Sequence, residues 1–281
     1  MHGSWDEVAD GVWHGRYTPF DVTVAVIAGA EASLVVDTRA GPAQAGELQA
    51  DVAALAVPPV THVVNTHAHG DHCFGNAAFA GHTRLWGHRG CAAALAGERG
   101  ESQRRHLREA LAAETGAADS VDADNGPGAA AADIARADIA APDHLVDDLA
   151  ELDVGGRPVV LRWLGRGHTD HDLVVDVPDA KTVVAGDLIE HSGPPAFADS
   201  DPLAWPETVD RLRALGRRVI VPGHGAAVGP LFVADQQADL AAVAELVRQV
   251  DRGTLRVEQA VGKSPLPEDA IRAALARGQR P

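Results

Sequence analysis

Two kinds of apolar spacing run along this chain. Short β-branched runs come first. Val22-Thr23-Val24-Ala25-Val26-Ile27 and Ser33-Leu34-Val35-Val36-Asp37 read as strands, joined by a hairpin turn at Gly29-Ala30-Glu31. From Gly41-Pro42 to about Leu55 the spacing turns helical, with Ala45, Leu48, Val52 and Leu55 on one face, and Pro58-Pro59 stops it. Thr61-His62-Val63-Val64-Asn65 and Thr83-Arg84-Leu85-Trp86 are two further strands. Residues 89–115 read as helical. Residues 116–142 are rich in Ala, Gly and Asp, with a breaker at 125–128, and their pattern leaves loop, helix and disorder open. Strands resume at 158–163, 173–177 and 182–185, and a helix from about Pro202 to Leu215 leads into Val219-Ile220-Val221. From Phe232 the chain reads as one long amphipathic helix to Val250, then two shorter ones.

This order, strands with a helix and then strands with a helix again, predicts an α/β fold. Each half supplies one sheet with helices outside, a four-layered αββα arrangement, although no exact internal repeat is visible. The expected partition is one domain over residues 1–281, with an acidic Ala-rich insertion at 97–150 and a helical tail at 232–281. The tail helix is compatible with packing on the domain and with a homodimer.

Composition changes the picture in three ways. With 46% hydrophobic residues but only 4% aromatic ones, the core is built from Val, Leu, Ile and Ala. The formal charge of -16 argues against a nucleic-acid partner, which needs a basic surface. Between Glu114 and Asp153 eleven acidic residues face one basic residue, Arg136, and that stretch reads either as a solvated insertion or as a lid over an active site. The two cysteines, Cys73 and Cys91, imply no disulfide framework. No run has the apolar length of a membrane span, and residues 1–11 lack the features of a signal peptide. A cytoplasmic protein acting on a small molecule, without a membrane partner, is the expectation.

The chemistry concentrates in Thr66-His67-Ala68-His69-Gly70-Asp71-His72, directly after a strand. Alternate residues of a strand share a face, so His67 and His69 point the same way, while Gly70 permits a turn that aims Asp71 and His72 differently. His168 in Gly165-Arg166-Gly167-His168-Thr169, Asp187 after the 182–185 strand and His224 after the 219–221 strand sit where a rigid scaffold presents ligands. Imidazole and carboxylate donors suit zinc, and also iron or manganese. A lone histidine is ordinarily a surface or core residue, and His2, His14, His62, His82, His88, His106 and His144 are read that way. Four polar residues packed behind a buried strand are hard to account for by packing alone.

The segments His67-Ala-His-Gly-Asp-His72, Gly167-His-Thr169, Gly186-Asp187 and Pro222-Gly-His-Gly225 resemble the metallo-β-lactamase superfamily, in the family's order, over roughly residues 10–235. The resemblance implies the αββα sandwich with metals at one edge between the sheets. It implies that His67, His69 and His168 bind one ion, that Asp71, His72 and His224 bind a second, and that Asp187 bridges them. A bridging Asp187 sets the chain apart from the best-known zinc β-lactamases and looks more like the glyoxalase II and lactonase branches. The flavodiiron branch has a Glu where His69 stands. The tail is too short for the glutathione-binding domain of glyoxalase II. The lactonase tyrosine has no match except Tyr17, expected to lie far from the site.

The implied function is that of a dinuclear metal-dependent hydrolase, with two divalent ions, zinc before iron or manganese. A hydroxide shared by the ions attacks the carbonyl of an ester, thioester, lactone or amide, and Asp71 orients it or shuttles its proton. Alternatives are a mononuclear iron oxidoreductase like the persulfide dioxygenases, and a low-turnover metal-containing protein that binds a small molecule. Asp37 and Thr169 are candidates to hydrogen-bond ligand histidines. His171 and His191 are weak candidates for the pocket. Asn76 is a candidate brace of the metal loop, and Cys73 a small buried residue.

Overall fold

A computed structural model describes residues 4–115 and 127–278. Its strands are β-branched on both faces, and this dictates the layering. In β3 (Val22–Ala28) every residue is buried. Val24 and Val26 point into one apolar cluster while Ala25 and Ile27 point into another. The same split recurs in β4 (Ser33–Val36), with Val35 on one side and Leu34 and Val36 on the other. In the second half it recurs in β10 (Leu173–Val177), β11 (Thr182–Glu190) and β12 (Val219–His224). There Val174, Val183 and Ile220 face outward, and Val175, Val184 and Val221 face inward. A strand that is apolar on both faces must be covered on both. The inward residues of both halves meet in one cluster between the sheets, and helices cover each outer face. The result is the αββα sandwich.

The first sheet runs β1 (Ser4–Ala9), β2 (Val12–Tyr17), β3, β4, β5 (Val60–Val64), β6 (Arg84–His88) and β7 (His144–Val146). The second runs β12, β11, β10, β9 (Arg157–Trp163) and β8 (Leu149–Val154). They join at a seam between β3 and β12, where only His224 and Val22 pair. Parallel neighbours need a crossover. Helix α1 (Pro42–Ala54) supplies it between β4 and β5, and α6 (Trp205–Ala214) between β11 and β12.

Between β5 and β6 lies the short α2 (Gly70–Cys73) with the metal-loop residues. Helices α3 (Arg89–Leu95), α4 (Gly97–Thr115) and α5 (Pro127–Arg136) follow β6. The helix expected over 89–115 is therefore two helices, because Gly97 adopts φ +55 and breaks it. Leu95, Leu111 and Ile134 from these helices pack against Ala68, Cys73 and Phe74, behind the metal loop. The described part of the acidic segment is also tied to α1. The Asp133 carboxylate accepts the backbone N–H groups of Ala43 and Gln44, capping a helix that has no side-chain cap of its own. Residues 116–126, for which the sequence left three states open, lie outside the described residues.

The tail forms α7 (Pro230–Asp251), α8 (Val257–Val261) and α9 (Glu268–Gly278). Leu240, Val243, Val247, Ile271, Ala274 and Leu275 pack it onto the outer face of the second sheet. Among the described residues no helix is long and apolar enough to cross a membrane.

Candidate metal centre

All seven residues singled out in the sequence converge at one end of the seam. His67 and His69 leave the end of β5, and Asp71 and His72 lie in α2. His168 comes from the loop between β9 and β10. Asp187 and His224 sit inside β11 and β12, whereas the sequence placed them just past shorter strands. β11 runs on through the buried Leu188 and Ile189 to Glu190, and β12 through Pro222 and Gly223 to His224, because Gly186 and Pro222-Gly223 interrupt the apolar pattern without ending the pairing of the two strands. The register of β11 and β12 shifts around Gly186 and again before Glu190. Gly186, at φ +55, lies close against Thr66, where any side chain would collide.

Two groups of donors result. His67, His69, His168 and Asp187 each offer an atom within 4.8 Å of the others, as do Asp71, His72 and His224. His69 Nδ1 lies 3.0 Å from His67 Nε2 and 2.9 Å from His168 Nε2. Asp187 Oδ2 stands 3.5 Å from His67 Nε2, 3.3 Å from His168 Nε2 and 3.5 Å from His224 Nε2. Its Oδ1 stands 3.2 Å from His72 Nε2. His224 Nε2 lies 3.3 Å from His72 Nε2 and 3.4 Å from Asp71 Oδ2. Donors around a tetrahedral zinc with bonds of about 2.0–2.1 Å stand about 3.3 Å apart, so both groups have the spacing of a coordination shell.

The hydrogen bonds behind the histidines point to the same use. The Thr66 hydroxyl donates to Asp37 Oδ2 and so accepts from His67 Nδ1 at 3.0 Å. His69 Nε2 meets Asp199 Oδ2 at 3.1 Å, His72 Nδ1 meets Asp37 Oδ2 at 2.9 Å, and His224 Nδ1 meets the Phe20 carbonyl at 2.8 Å. Each acceptor fixes the proton on the far nitrogen and leaves the near one with its lone pair toward the centre. The exception is His168, whose Nδ1 is buried without a partner. Asp187 Oδ1 is likewise buried without a hydrogen bond. Such atoms are costly unless something else satisfies them, and a cation between the donors would satisfy Asp187.

Electrostatics agree. Burial opposes charge on His224, but Asp187, Glu190 and Asp71 push its pKa up to about 10. Burial likewise opposes charge on His72, yet Asp187, Asp71 and Asp37 hold it well above its usual value. Burial lowers His67 and His168, the neutral state of ligand imidazoles. A carboxylate-rich pocket of this kind calls for positive charge.

The supporting residues divide. Asp37 takes the expected place behind His72. Thr169 does not hold a ligand histidine: its hydroxyl and N–H both go to Asp172, which closes the Gly167–Asp172 turn. Asn76 braces the loop as expected, exchanging two amide hydrogen bonds with Asn65 and accepting another from Thr38. The Cys73 thiol donates to the Ala68 and His69 carbonyls, and burial pushes its pKa up, the state of a packing residue. His171 lies behind the loop, accepting the Ala68 N–H at 3.3 Å. His191 packs on Phe232 and accepts the Ala226 N–H. The Tyr17 hydroxyl is spent on Asp51 and Trp5, beneath α1 and away from the donors.

Two residues near the centre were not singled out by the sequence. Asp199 was an ordinary loop aspartate until the fold brought it to His69. Glu190 forms a third donor group with Asp187 and His224.

Residues 17–224 match the metallo-beta-lactamase superfamily, and the chain belongs to that family. Together with the His/Asp donor groups, membership supports a metal-dependent, hydrolase-like function. A metallo-beta-lactamase type 2 of Bacteroides fragilis is 30% identical over 89 residues, a match covering 30% of this chain and 36% of that protein, about a third of its length. The metallo-beta-lactamase FIM-1 of Pseudomonas aeruginosa, solved in a mono-zinc form, is similar in fold at a TM-score of 0.64 and 20% identity, over 86% of this chain and 95% of that one. A metallo-beta-lactamase of Pontibacter korlensis gives a TM-score of 0.61 at 21% identity, over 85% and 99%.

Proposed function

We propose that the chain is a hydrolase with two divalent ions, the first held by His67, His69 and His168, the second by Asp71, His72 and His224, with Asp187 shared. The observation that carries this reading is the position of Asp187, whose two oxygens stand within 3.5 Å of nitrogens from both groups. When bound, such ions polarise a carbonyl oxygen and make water a nucleophile near neutral pH.

The chain's own residues supply the rest. Four of the five histidines are held from behind, by Thr66, Asp199, Asp37 and the Phe20 carbonyl, so the donors keep their places and little reorganisation accompanies reaction. Asp71 has its carboxylate partly open to the pocket, at 12% side-chain exposure, and carries spare acceptor capacity beside His224. It orients the attacking water and takes up its proton. Asp199 steadies His69 from the pocket mouth. The substrate class is an ester, thioester, lactone or amide. A β-lactam belongs among the amides tested because of the name of the Bacteroides fragilis relative.

The test is metal analysis of the purified protein with a panel of these substrates. About two ions per chain and hydrolysis of at least one class are expected. Asp187→Ala should lose metal and slow hydrolysis on the order of 10²-fold or more, as removal of a transition-state-stabilising group does. An Asp187→Ala protein with wild-type metal content and turnover would overturn the shared-ligand role.

A further inference from the structure

Glu190 is a carboxylate at this centre that neither the first nor the second donor group uses and that, unlike Asp37 and Asp199, holds no ligand histidine from behind. In a regular strand its side chain would lie on the opposite face from Asp187, three residues earlier. The register shift of β11 before Glu190 cancels that alternation and pairs Glu190 with His224 on β12. A Glu190 oxygen then lies within 4.8 Å of donor atoms of both Asp187 and His224. The residue is only 7% exposed. Its backbone is pinned, since the Glu190 N–H donates to Gln236 Oε1 at 3.0 Å while Gln236 Nε2 donates to the Leu188 carbonyl at 3.0 Å. Among the described residues no hydrogen bond reaches its carboxylate. A buried carboxylate without a donor is costly unless a cation or a proton meets it. Beside it, Asp187 Oδ1 is buried and has no hydrogen-bond partner.

We infer that Glu190 is a further ligand on the Asp71–His72–His224 side. This rests on the two-ion reading above. The two halves of the centre then differ in kind. The first offers three imidazole nitrogens and one shared oxygen, a set suited to tetrahedral zinc. Counted together, the Asp71–His72–His224 and Asp187–Glu190–His224 groups, which share His224, offer two imidazoles and three carboxylates, a harder set with too many donors for a tetrahedron, suited to manganese or ferrous iron in five or six coordination. The centre is therefore built for two unlike ions, with Glu190 deciding what the second one is.

The experiment is a metal titration of chelator-stripped full-length protein, comparing wild type with Glu190→Gln, an uncharged replacement of the same shape. Manganese binding is followed by its electron paramagnetic resonance signal, and zinc by competition with a chromophoric chelator. Wild type should take up two ions. In Glu190→Gln the first zinc should bind as in wild type, while manganese at the second position should weaken about tenfold or more, at least the cost of losing an outer support of a ligand. If both titrations of Glu190→Gln superimpose on wild type, Glu190 is a buried neutral acid and the inference fails with the two-ion reading intact. If wild type itself takes up one ion, the two-ion reading fails. Should the variant not fold, crystals of manganese-loaded wild type decide instead. A Glu190 oxygen within bonding distance of the second ion supports the inference, and a carboxyl turned away from it overturns it.

Discussion

At the scale of single residues, the direction of each donor is set by the group that holds it. Asp37 shows this most clearly. Its Oδ2 accepts from both the Thr66 hydroxyl and His72 Nδ1, and its Oδ1 accepts from the Thr66 N–H. One carboxylate thus fixes the proton position on His72 directly and that on His67 through Thr66. An Asn at this position has only one acceptor oxygen. Either the Thr66 N–H or His72 Nδ1 must then face an amide N–H, and His72 can relieve this only by moving its proton to Nε2, the nitrogen turned toward the centre. If the centre holds two ions as proposed, Asp37→Asn should weaken the second about 10–100-fold in competition with a chelator, and the first less. The backbone is not a confounding factor, because Asp37 sits at φ +67, which Asn tolerates as well as Asp. Unchanged affinities would show that the ring is held by packing alone.

At the scale of elements, the centre hangs on the close approach of β11 to β12. Gly223 lies against Asp187, and a Cβ there would intrude on Asp187 Oδ1 and on the backbone of Gly186 and Asp187. Gly223→Ala should push the strands apart, cost about 1–3 kcal/mol as an overpacked site does, and lower metal content. Gly193→Ala, with open space around it, should change stability by less than about 0.5 kcal/mol. Calorimetry with metal analysis checks both, and a Gly223→Ala protein with wild-type melting temperature and metal would contradict the packing argument. The same strands mark the limit of sequence reading. β3, β4, β10 and the start of β11 were legible because burial on two faces leaves an unbroken apolar run. β8 was not, because this edge strand alternates exposed and covered positions and carries Glu151 and Asp153 among its apolar residues. The convergence of the seven candidate ligands was legible because histidines and aspartates crowded at the ends of apolar strands add nothing to packing. Glu190 was not, because a bulge changes which way a residue points without leaving a mark in hydropathy; Gly186 is the only local hint. Thr169, adjacent to a donor in sequence, closes a turn instead, since adjacency along a loop says little about direction.

At the scale of the whole molecule, the two sheets meet in a shared apolar layer but pair along only one residue step at the seam. The donors straddle that seam. His67, His69, Asp71 and His72 belong to the connection after β5 in the first sheet, and His168, Asp187 and His224 to the β9–β10 loop and to strands β11 and β12 of the second. Protein contacts crossing nearby are few but specific, such as the Leu173 N–H to the Thr66 carbonyl at 2.7 Å and the Thr23 hydroxyl to the Gly225 carbonyl at 2.7 Å. Ions bound here would link the halves where the backbone barely does, and would neutralise buried carboxylates in a chain already at -16. Binding to the folded state alone stabilises it by about 2.7 kcal/mol for each site held at 100 times its dissociation constant. In a chain of this size that corresponds to about 5–10 °C in melting temperature per ion. Stripping both ions with a chelator should therefore lower the melting temperature by about 10–20 °C and keep a single transition, because the inter-sheet layer still couples the halves. Amide exchange should rise at residues 65–76 and 164–172 on the two sides of the seam, while the α1 and α7 layers keep their protection. A melting temperature unmoved by verified metal removal, or exchange that rises in one half only, would mean that the centre rides on a finished fold and does not join its parts.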